Sequence, residues 1–363
     1  MKLPSISEYN DSIRTPQLVK PGVLSGGHPI EKGNTIIKYS GGFCVVYPYQ
    51  TSAKKYAVRC WHADVSDAKH RTQIISKALN NAKLPYFVGF EYYDDGIATA
   101  KGVQPIVVMD WVDAKPLKKY IEEHLSDGNC LRRLAESFRT MVADLHRHSM
   151  AHGDLQHGNI LVRDDGSIVL VDYDSMYVPE LKGMSDEIKG LHGYQHEARW
   201  SNQYTSEKID YFSELVIYIS LIALSKQPSL WEKLNIADTE TLIFNADDIK
   251  SKGSTAIFYD LRLIDGLTPL LDKLESFLEK DSIDDLEPLE QAAKSLKEQI
   301  VGKWGNYTPP ITVIVPPHID DPDKIAKAFG NNGYNPQKVD SKTKEQNASI
   351  AKSIADKIKN HAD

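Results

Sequence analysis

Residues 151–162 read AHGDLQHGNILV and place two histidines, a carboxylate and two side-chain amides in one short stretch that ends in an apolar run. A loop that only connects two elements carries turn-forming residues and has no reason to end on three consecutive apolar residues. The next residues, RDDGSIVLVDYD, contain an Asp-Gly turn and a second β-branched run. The sequence therefore predicts a β-hairpin with polar side chains gathered at one end.

Asp154 and Asn159 precede the hairpin and Asp172 follows it. Taken singly, such residues are usually turn formers or strand caps. Their joint spacing resembles the catalytic loop H-R-D-L-x-x-x-N and the metal-binding D-F-G of protein kinases. Here the two motifs read HGDLQHGN and DYD. Gly153, in place of the arginine, also gives the H-G-D of aminoglycoside and choline phosphotransferases, which share the same fold.

The rest of the chain follows the order of a kinase domain. Alternating, β-branched segments run to about residue 112, with one helical interval near residues 66–82, and helical periodicity follows. The resemblance, to divergent eukaryotic-like Ser/Thr kinases of bacteria, covers roughly residues 36–300 and implies an α+β, bilobal protein-kinase-like fold. We divide the chain into an N-terminal arm (1–35), a β-rich N-lobe (36–112), a helical C-lobe (113–302), and a C-terminal linker with a further helix (303–363).

The resemblance also assigns nucleotide-binding residues. Ala57 and Arg59 share one face of the strand KYAVRCW and match the A-x-K strand, in which the alanine touches adenine and the lysine holds the α- and β-phosphates. VVMDWV (107–112) resembles the hinge, and YSGGFCVV (39–46) resembles the glycine-rich loop. The implied nucleotide-binding residues are Gly41, Gly42, Phe43, Val46, Ala57, Arg59, Met109, Asp110, Trp111, Val112 and Leu161.

The same resemblance implies ATP and Mg²⁺ as cofactors. Asp154 is expected to accept or orient the proton of the attacking hydroxyl, while Asn159 and Asp172 hold magnesium, an ion that prefers hard oxygen ligands. Gln156 stands where protein kinases carry a lysine that contacts the transferred phosphate. Asp210 begins the apolar segment DYFSELVIYISLIAL and matches the buried aspartate that holds the catalytic loop.

Departures from the kinase pattern are concentrated in the N-lobe. Tyr39 and Cys44 replace the first and third glycines of the loop, and Arg59 replaces the lysine. A planar guanidinium and a compact ammonium are not interchangeable at a phosphate site. Residues 65–90 contain no glutamate to orient this cation, which leaves Gln73 or a C-lobe carboxylate as its partner.

Composition and charge exclude several classes of protein. The hydrophobic and charged fractions, 41% and 26%, are ordinary for a globular chain, and a net charge of −7 without a basic cluster argues against broad nucleic-acid binding. The longest apolar stretch, residues 211–224, contains Glu214 and is shorter than the roughly 20 residues that span a bilayer. The N-terminus lacks the apolar core of a signal peptide, and the cysteine count of 3 is odd. We therefore expect a cytoplasmic protein with no membrane contact.

Three functions are compatible with these residues. The sequence favours ATP-dependent transfer to a Ser or Thr hydroxyl of a protein substrate or signalling partner, because the three chemical residues of the C-lobe are retained. A pseudokinase that binds nucleotide or a partner without catalysis is the alternative, favoured by Arg59, Gln156 and the missing glutamate. A small-molecule kinase of the aminoglycoside phosphotransferase type is the third, favoured by H-G-D.

Overall fold

Strands dominate up to residue 110, and helices dominate after it, as the hydrophobic patterning predicts. The computed structural model describes residues 3–63 and 67–291. The β-rich N-lobe and helical C-lobe confirm the predicted α+β, bilobal fold. The predicted linker and helix at 303–363 lie outside the described residues.

The N-lobe is built on an antiparallel sheet with two helices. Its elements are α1 (Ile6–Ile13), β1 (His28–Pro29), β2 (Glu31–Lys32), β3 (Thr35–Ile36), β4 (Tyr39–Ser40), β5 (Cys44–Gln50), β6 (Lys55–Trp61), α2 (Ala68–Ala82), β7 (Phe90–Thr99) and β8 (Gly102–Asp110). In the main sheet β5 pairs with β1, β4 and β6, and β8 lies between β6 and β7. This order sets the strand that carries Arg59 beside the strand that leads into the hinge, with Ala57 opposite Met109.

The segment predicted as an N-terminal arm contributes directly to the N-lobe. Helix α1 begins with a capping box in which Ser5 and Glu8 each accept a backbone N–H of the other, a strong helix start signal. Tyr9 and Ile13 are fully buried, and the Tyr9 hydroxyl donates a hydrogen bond to the Trp61 carbonyl at 2.9 Å. Strand β1 extends the sheet, so the arm lies on the N-lobe and packs into its core.

The C-lobe begins with a short strand and continues mainly as helices. Its elements are β9 (Lys115–Pro116), α3 (Leu117–Glu123), α4 (Gly128–Arg147), β10 (Ile160–Val162), β11 (Ile168–Leu170), α5 (Tyr211–Lys226), α6 (Leu230–Lys233), α7 (Ala246–Lys250), α8 (Ala256–Arg262) and α9 (Thr268–Leu278). Strands β10 and β11 pair antiparallel with Ile160 opposite Leu170, which confirms the predicted hairpin.

Helix α5 forms the centre of the C-lobe. It is apolar around its whole circumference and is buried from Tyr211 through Leu221, as expected for a helix enclosed by others. The amphipathic helix α4 packs against it through an apolar face that runs from Leu131 to Leu145. Among the described residues, no helix is long and apolar enough to cross a membrane.

One ionic cluster lies inside this apolar packing. The imidazole of His146 contacts Glu214 of α5 through Nε2 at 2.8 Å and Glu290 through Nδ1 at 2.9 Å. Burial alone would lower the pKa of His146, but the two carboxylates outweigh it and raise that pKa to about 10. Burial also raises the pKa of Glu214 to about 7. Both groups therefore bind protons more tightly in the folded state than in the unfolded chain.

We expect this cluster to make stability fall as pH rises. Because the folded pKa of His146 lies above its unfolded value of about 6.5, its contribution is fully present below about pH 6.5 and is lost as pH passes through 10. His146→Gln should lower the free energy of unfolding by about 3 to 5 kcal/mol near pH 7, and the loss should shrink towards pH 10.

Urea unfolding of both proteins between pH 6 and pH 10 measures this difference. The exposed His148, whose Nδ1 contacts the Asp144 carbonyl at 2.8 Å, provides the control His148→Gln, which should leave the free energy of unfolding close to that of wild type. A constant difference between wild type and His146→Gln across the range would contradict the ionic role of His146.

Candidate active site

The catalytic loop is held by one buried carboxylate. Asp210, 1% exposed, accepts hydrogen bonds from the backbone amides of His152 and Gly153. The His152 ring is itself fully buried, and its Nε2 contacts the Val171 carbonyl at 2.9 Å. Asp210 therefore stands where the sequence predicts the loop-holding aspartate, immediately before helix α5.

Gly153 is required by a close backbone approach. Residues 151 and 177 form a bridge in which each amide donates to the other's carbonyl, and this brings Ser175 against Gly153. A Cβ at position 153 would lie 2.1 Å from the Ser175 carbonyl oxygen, and Gly153 has a left-handed φ of +82°. The arginine of H-R-D is thus excluded here by both space and backbone conformation.

The hairpin brings the three predicted chemical residues to one end. Asn159 donates from Nδ2 to the backbone oxygen of Asp154 at 2.8 Å and to its Oδ2 at 2.9 Å. Across the hairpin the Val171 amide donates to the Asn159 carbonyl at 3.0 Å, which sets Asp172 next to Asn159. Asp154 Oδ1 accepts the amide of Leu191 at 3.1 Å.

Asp172 is held in an unusual backbone conformation. Its φ of +66° is rare for a residue with a side chain, and such outliers concentrate at functional sites. The next residue, Tyr173, fixes it: the hydroxyl donates to the Leu170 carbonyl at 2.6 Å and accepts the Val88 amide at 3.0 Å. The Asp172 side chain is 56% exposed to the cleft, yet desolvation by surrounding protein and the nearby Asp174 raise its pKa.

The partner of Arg59 is Asp174. The guanidinium, 4% exposed, forms a two-point contact with this carboxylate, with Nη1 at 2.7 Å from Oδ1 and Nη2 on Oδ2. Burial alone would lower the pKa of Arg59, but Asp174 outweighs it and the pKa is raised. Gln73 is exposed on α2 and is not the partner, so the alternative of a C-lobe carboxylate is the correct one. Asp174 itself was visible in DYD but carried no predicted role.

Helix α2 contacts the same segment through an arginine that sequence reasoning missed. Arg71 donates from Nε to the Asp174 carbonyl at 2.9 Å and from Nη2 to the Met176 carbonyl at 2.8 Å. The lack of any glutamate in residues 65–90 was the only available signal that α2 contacts the segment differently from a kinase helix. Arg71 thereby joins the N-lobe helix to the backbone that follows Asp172.

The apolar residues assigned to the adenine pocket have a similar degree of burial. Val46, Ala57, Met109, Val112 and Leu161 are each half-buried, as side chains facing a cleft should be. Two of the predicted loop residues, Gly41 and Gly42, have no atom within 4 Å of a Cβ built on them. Phe43 is 46% exposed at the tip of this loop. This burial is compatible with the predicted roles of the loop and pocket residues, which stay predictions.

The hinge is braced from two sides. Asp110 forms an ion pair with Lys54 at 2.6 Å, and the Lys55 ammonium lies 3.6 Å from the Trp111 ring centroid. Tyr39, at the first glycine position, has its ring 6.3 Å from that of Trp111. Both lysines are engaged at the hinge, so Arg59 is the cation of strand β6 that points towards the metal motif.

A second buried ion pair orders the segment after the metal motif. Arg199, fully buried, donates to both carboxylate oxygens of Asp186 at 3.2 Å and to Gln195 Oε1 at 2.5 Å. The segment contacts the catalytic loop at Leu191, whose amide donates to Asp154.

The side chain of Gln156 is partly engaged within the loop. Its side-chain oxygen accepts a hydrogen bond from the Gly158 amide at 2.6 Å, which leaves the side-chain nitrogen as the donor at this position.

These features are those of a domain of the protein kinase type. The model of the protein kinase domain family matches residues 40–282, more than half of the chain, and the chain therefore belongs to this family. The predicted resemblance to protein kinases is confirmed, and the bacterial subgroup stays a prediction. The chain is also similar to the probable serine/threonine-protein kinase mkcC of Dictyostelium discoideum, with 27% identity over 139 residues. That match covers 37% of this chain and 15% of the relative.

Restoring the missing arginine should damage the protein. We expect Gly153→Arg, and even Gly153→Ala, to lower the free energy of unfolding by more than the roughly 1 to 3 kcal/mol of a left-handed backbone alone, because the Ser175 carbonyl must also move. Thermal and urea unfolding test this expectation. Gly22→Ala is the control, since a Cβ there would meet no atom within 4 Å. Wild-type stability in Gly153→Ala would show that the segment around Ser175 is free to shift.

Proposed function

We propose that the chain transfers the γ-phosphate of ATP to a Ser or Thr hydroxyl of a protein, with magnesium as cofactor. The observation that carries this proposal is the hydrogen-bonded pair of Asp154 and Asn159, set beside Asp172 at the end of one hairpin. Membership in the protein kinase family and the similarity to a probable serine/threonine kinase support the same reaction.

Asp154 is the residue proposed to act on the acceptor. Its Oδ2 is fixed by Asn159 and its Oδ1 by the Leu191 amide, so the carboxylate has a defined orientation. Carboxylate oxygens have a second lone pair each and can accept from a substrate hydroxyl while keeping these contacts. In this role Asp154 orients the hydroxyl and accepts its proton as the hydroxyl oxygen bonds to the γ-phosphorus and the bond from that phosphorus to the bridging oxygen breaks, which releases ADP.

The residues at the metal position fit magnesium together with a nucleotide. Desolvation and the nearby carboxylate of Asp174 raise the pKa of Asp172, and a bound divalent cation would stabilise its charged form. No group of three His, Cys, Asp or Glu side chains within residues 3–63 and 67–291 is arranged to bind a metal ion. Asp172 and Asn159 therefore need further oxygen ligands, which nucleotide phosphates supply in many magnesium sites. Bound there, the ion would neutralise charge on the transferred phosphate.

Two features favour the alternative of a pseudokinase. Arg59 is engaged by Asp174, and Gln156 offers a neutral amide where a cation would stabilise more transition-state charge. Both are compatible with slow transfer, so the comparison of catalytic variants separates the two functions. A small-molecule acceptor is separated from a protein acceptor by the identity of the labelled product.

The proposed reaction requires Asp154. With magnesium and γ-labelled ATP, wild type should label itself or an added protein such as casein or myelin basic protein, and Asp154→Ala should lose about 10²- to 10⁴-fold in rate, the range of general-base catalysis. The control is Asp164→Ala, which removes a carboxylate that is 91% exposed at the hairpin turn. Equal labelling by wild type and Asp154→Ala would exclude this mechanism, and no labelling by either would favour the pseudokinase.

Binding should depend on metal and nucleotide together. We expect magnesium and ATP combined to raise the melting temperature, since a ligand bound only by the folded state stabilises it by mass action. Magnesium alone should shift it little, because two side chains give an incomplete ligand set. Asp172→Ala or chelation should abolish the shift. A shift with ATP that survives both treatments would remove Asp172 from the metal role.

A further inference from the structure

The buried guanidinium of Arg59 is oriented by the metal motif and not by helix α2. Both terminal nitrogens of Arg59 meet the two oxygens of Asp174, a geometry that fixes the plane of the guanidinium as well as its position. Asp172 lies further off, with its Oδ1 3.8 Å from Arg59 Nη1. Arg59 thus lies beside two carboxylates, Asp172 and Asp174, which are two residues apart on one segment.

Helix α2 provides no acidic partner for this cation. It carries no glutamate, and its contact with the segment is made by Arg71, which binds main-chain carbonyls of Asp174 and Met176. A positive side chain cannot neutralise Arg59. Arg71 instead holds the backbone from which the Asp174 carboxylate projects. Helix α2 therefore affects Arg59 indirectly, because Arg71 positions the backbone that carries Asp174, and Asp174 contacts Arg59.

We propose that Asp174 is the positioning residue for the phosphate-holding cation of this kinase, with Arg71 as the clamp that fixes it. This inference rests on the proposed function, because it assigns Asp174 a purpose only if Arg59 meets the phosphates of a nucleotide. The chemical partner is the α- and β-phosphate pair of a nucleoside triphosphate. The carboxylate holds the guanidinium from one side and leaves further N–H groups for phosphate oxygens.

This arrangement explains why the strand carries arginine. A guanidinium has five N–H donors in a plane, so two can bind the carboxylate while others remain on the same terminal nitrogens. An ammonium has three donors at a single point and a shorter reach. The carboxylate of Asp174 lies on the segment after the metal motif and not on α2. The side chain of Arg59, which is longer than that of lysine, reaches it. Arg59 and Asp174 are accordingly matched to each other in length.

A cycle of length-matched variants tests this pairing. Arg59→Lys shortens the cation, Asp174→Glu lengthens the carboxylate, and the double variant combines a shorter cation with a longer anion. All three variants keep both charges, so we expect them to fold. Outright removal of the Asp174 carboxylate would instead leave a buried cation unpaired. The measurements are single-turnover phosphate transfer and the dissociation constant of Mg-ATP. Asp94→Ala, which removes an exposed carboxylate paired with Lys69 of α2, is the control and should match wild type.

We expect each single variant to lower transfer about 10- to 100-fold, the usual effect of losing a supporting contact, with a larger change in the transfer rate than in Mg-ATP affinity for Asp174→Glu. The double variant should recover at least about tenfold over Arg59→Lys, since coupled residues are not additive. Losses that simply multiply in the double variant overturn the inference. So does Asp174→Asn transferring faster than wild type, which would identify the ion pair as an inhibitory contact.

The outcomes also separate this inference from the proposed function. If wild type transfers phosphate and the losses multiply, only the role of Asp174 is rejected. If wild type binds Mg-ATP without transfer, the same cycle is read from dissociation constants, and recovery in the double variant supports the pairing in a pseudokinase. If wild type neither transfers nor binds, the proposed function fails and the inference fails with it.

Discussion

The hydrogen bonds from two backbone amides to the carboxylate of Asp210 are the contact on which the catalytic loop depends. Buried amides must be paired, and here the amides of His152 and Gly153 have one shared acceptor. That acceptor stands at the start of α5, a helix that is buried from Tyr211 through Leu221. The loop is therefore fixed to the buried start of α5, and Asp154 takes its position from this attachment.

The segment after the metal motif carries the acidic partners of two buried arginines. Asp174 neutralises Arg59 of the N-lobe, and Asp186 neutralises Arg199 within the segment itself. Each guanidinium is nearly or fully buried, and a buried cation without such a partner is strongly destabilising. The folded position of this one segment thus determines two buried ion pairs, one of which joins the lobes.

Local sequence patterns predicted the fold well, but they did not predict which side chains pair across long stretches of the chain. The hairpin and helix α5 follow from periodicity and turn residues that lie within a few positions of each other. The partner of Arg59 is 115 residues away, and only the folded chain shows which carboxylate reaches it. Helix α1 was missed although its capping box, SISE at residues 5–8, is a readable signal. Gly153 was recognised as a departure, but the carbonyl that excludes a side chain there is visible only in three dimensions.

The two main departures from the kinase pattern have a common structural origin. Residues 174–177 run beside the catalytic loop, paired at Ala151 with Tyr177 and clamped by Arg71. This close approach leaves no room for a side chain at Gly153, and the same run of backbone carries Asp174 to Arg59. An arginine at 153 would push the run away and separate that ion pair. Gly153 in the catalytic loop and Asp174 after the metal motif are therefore physically linked. Because Asp174 pairs with Arg59, the glutamate expected on α2 is unnecessary.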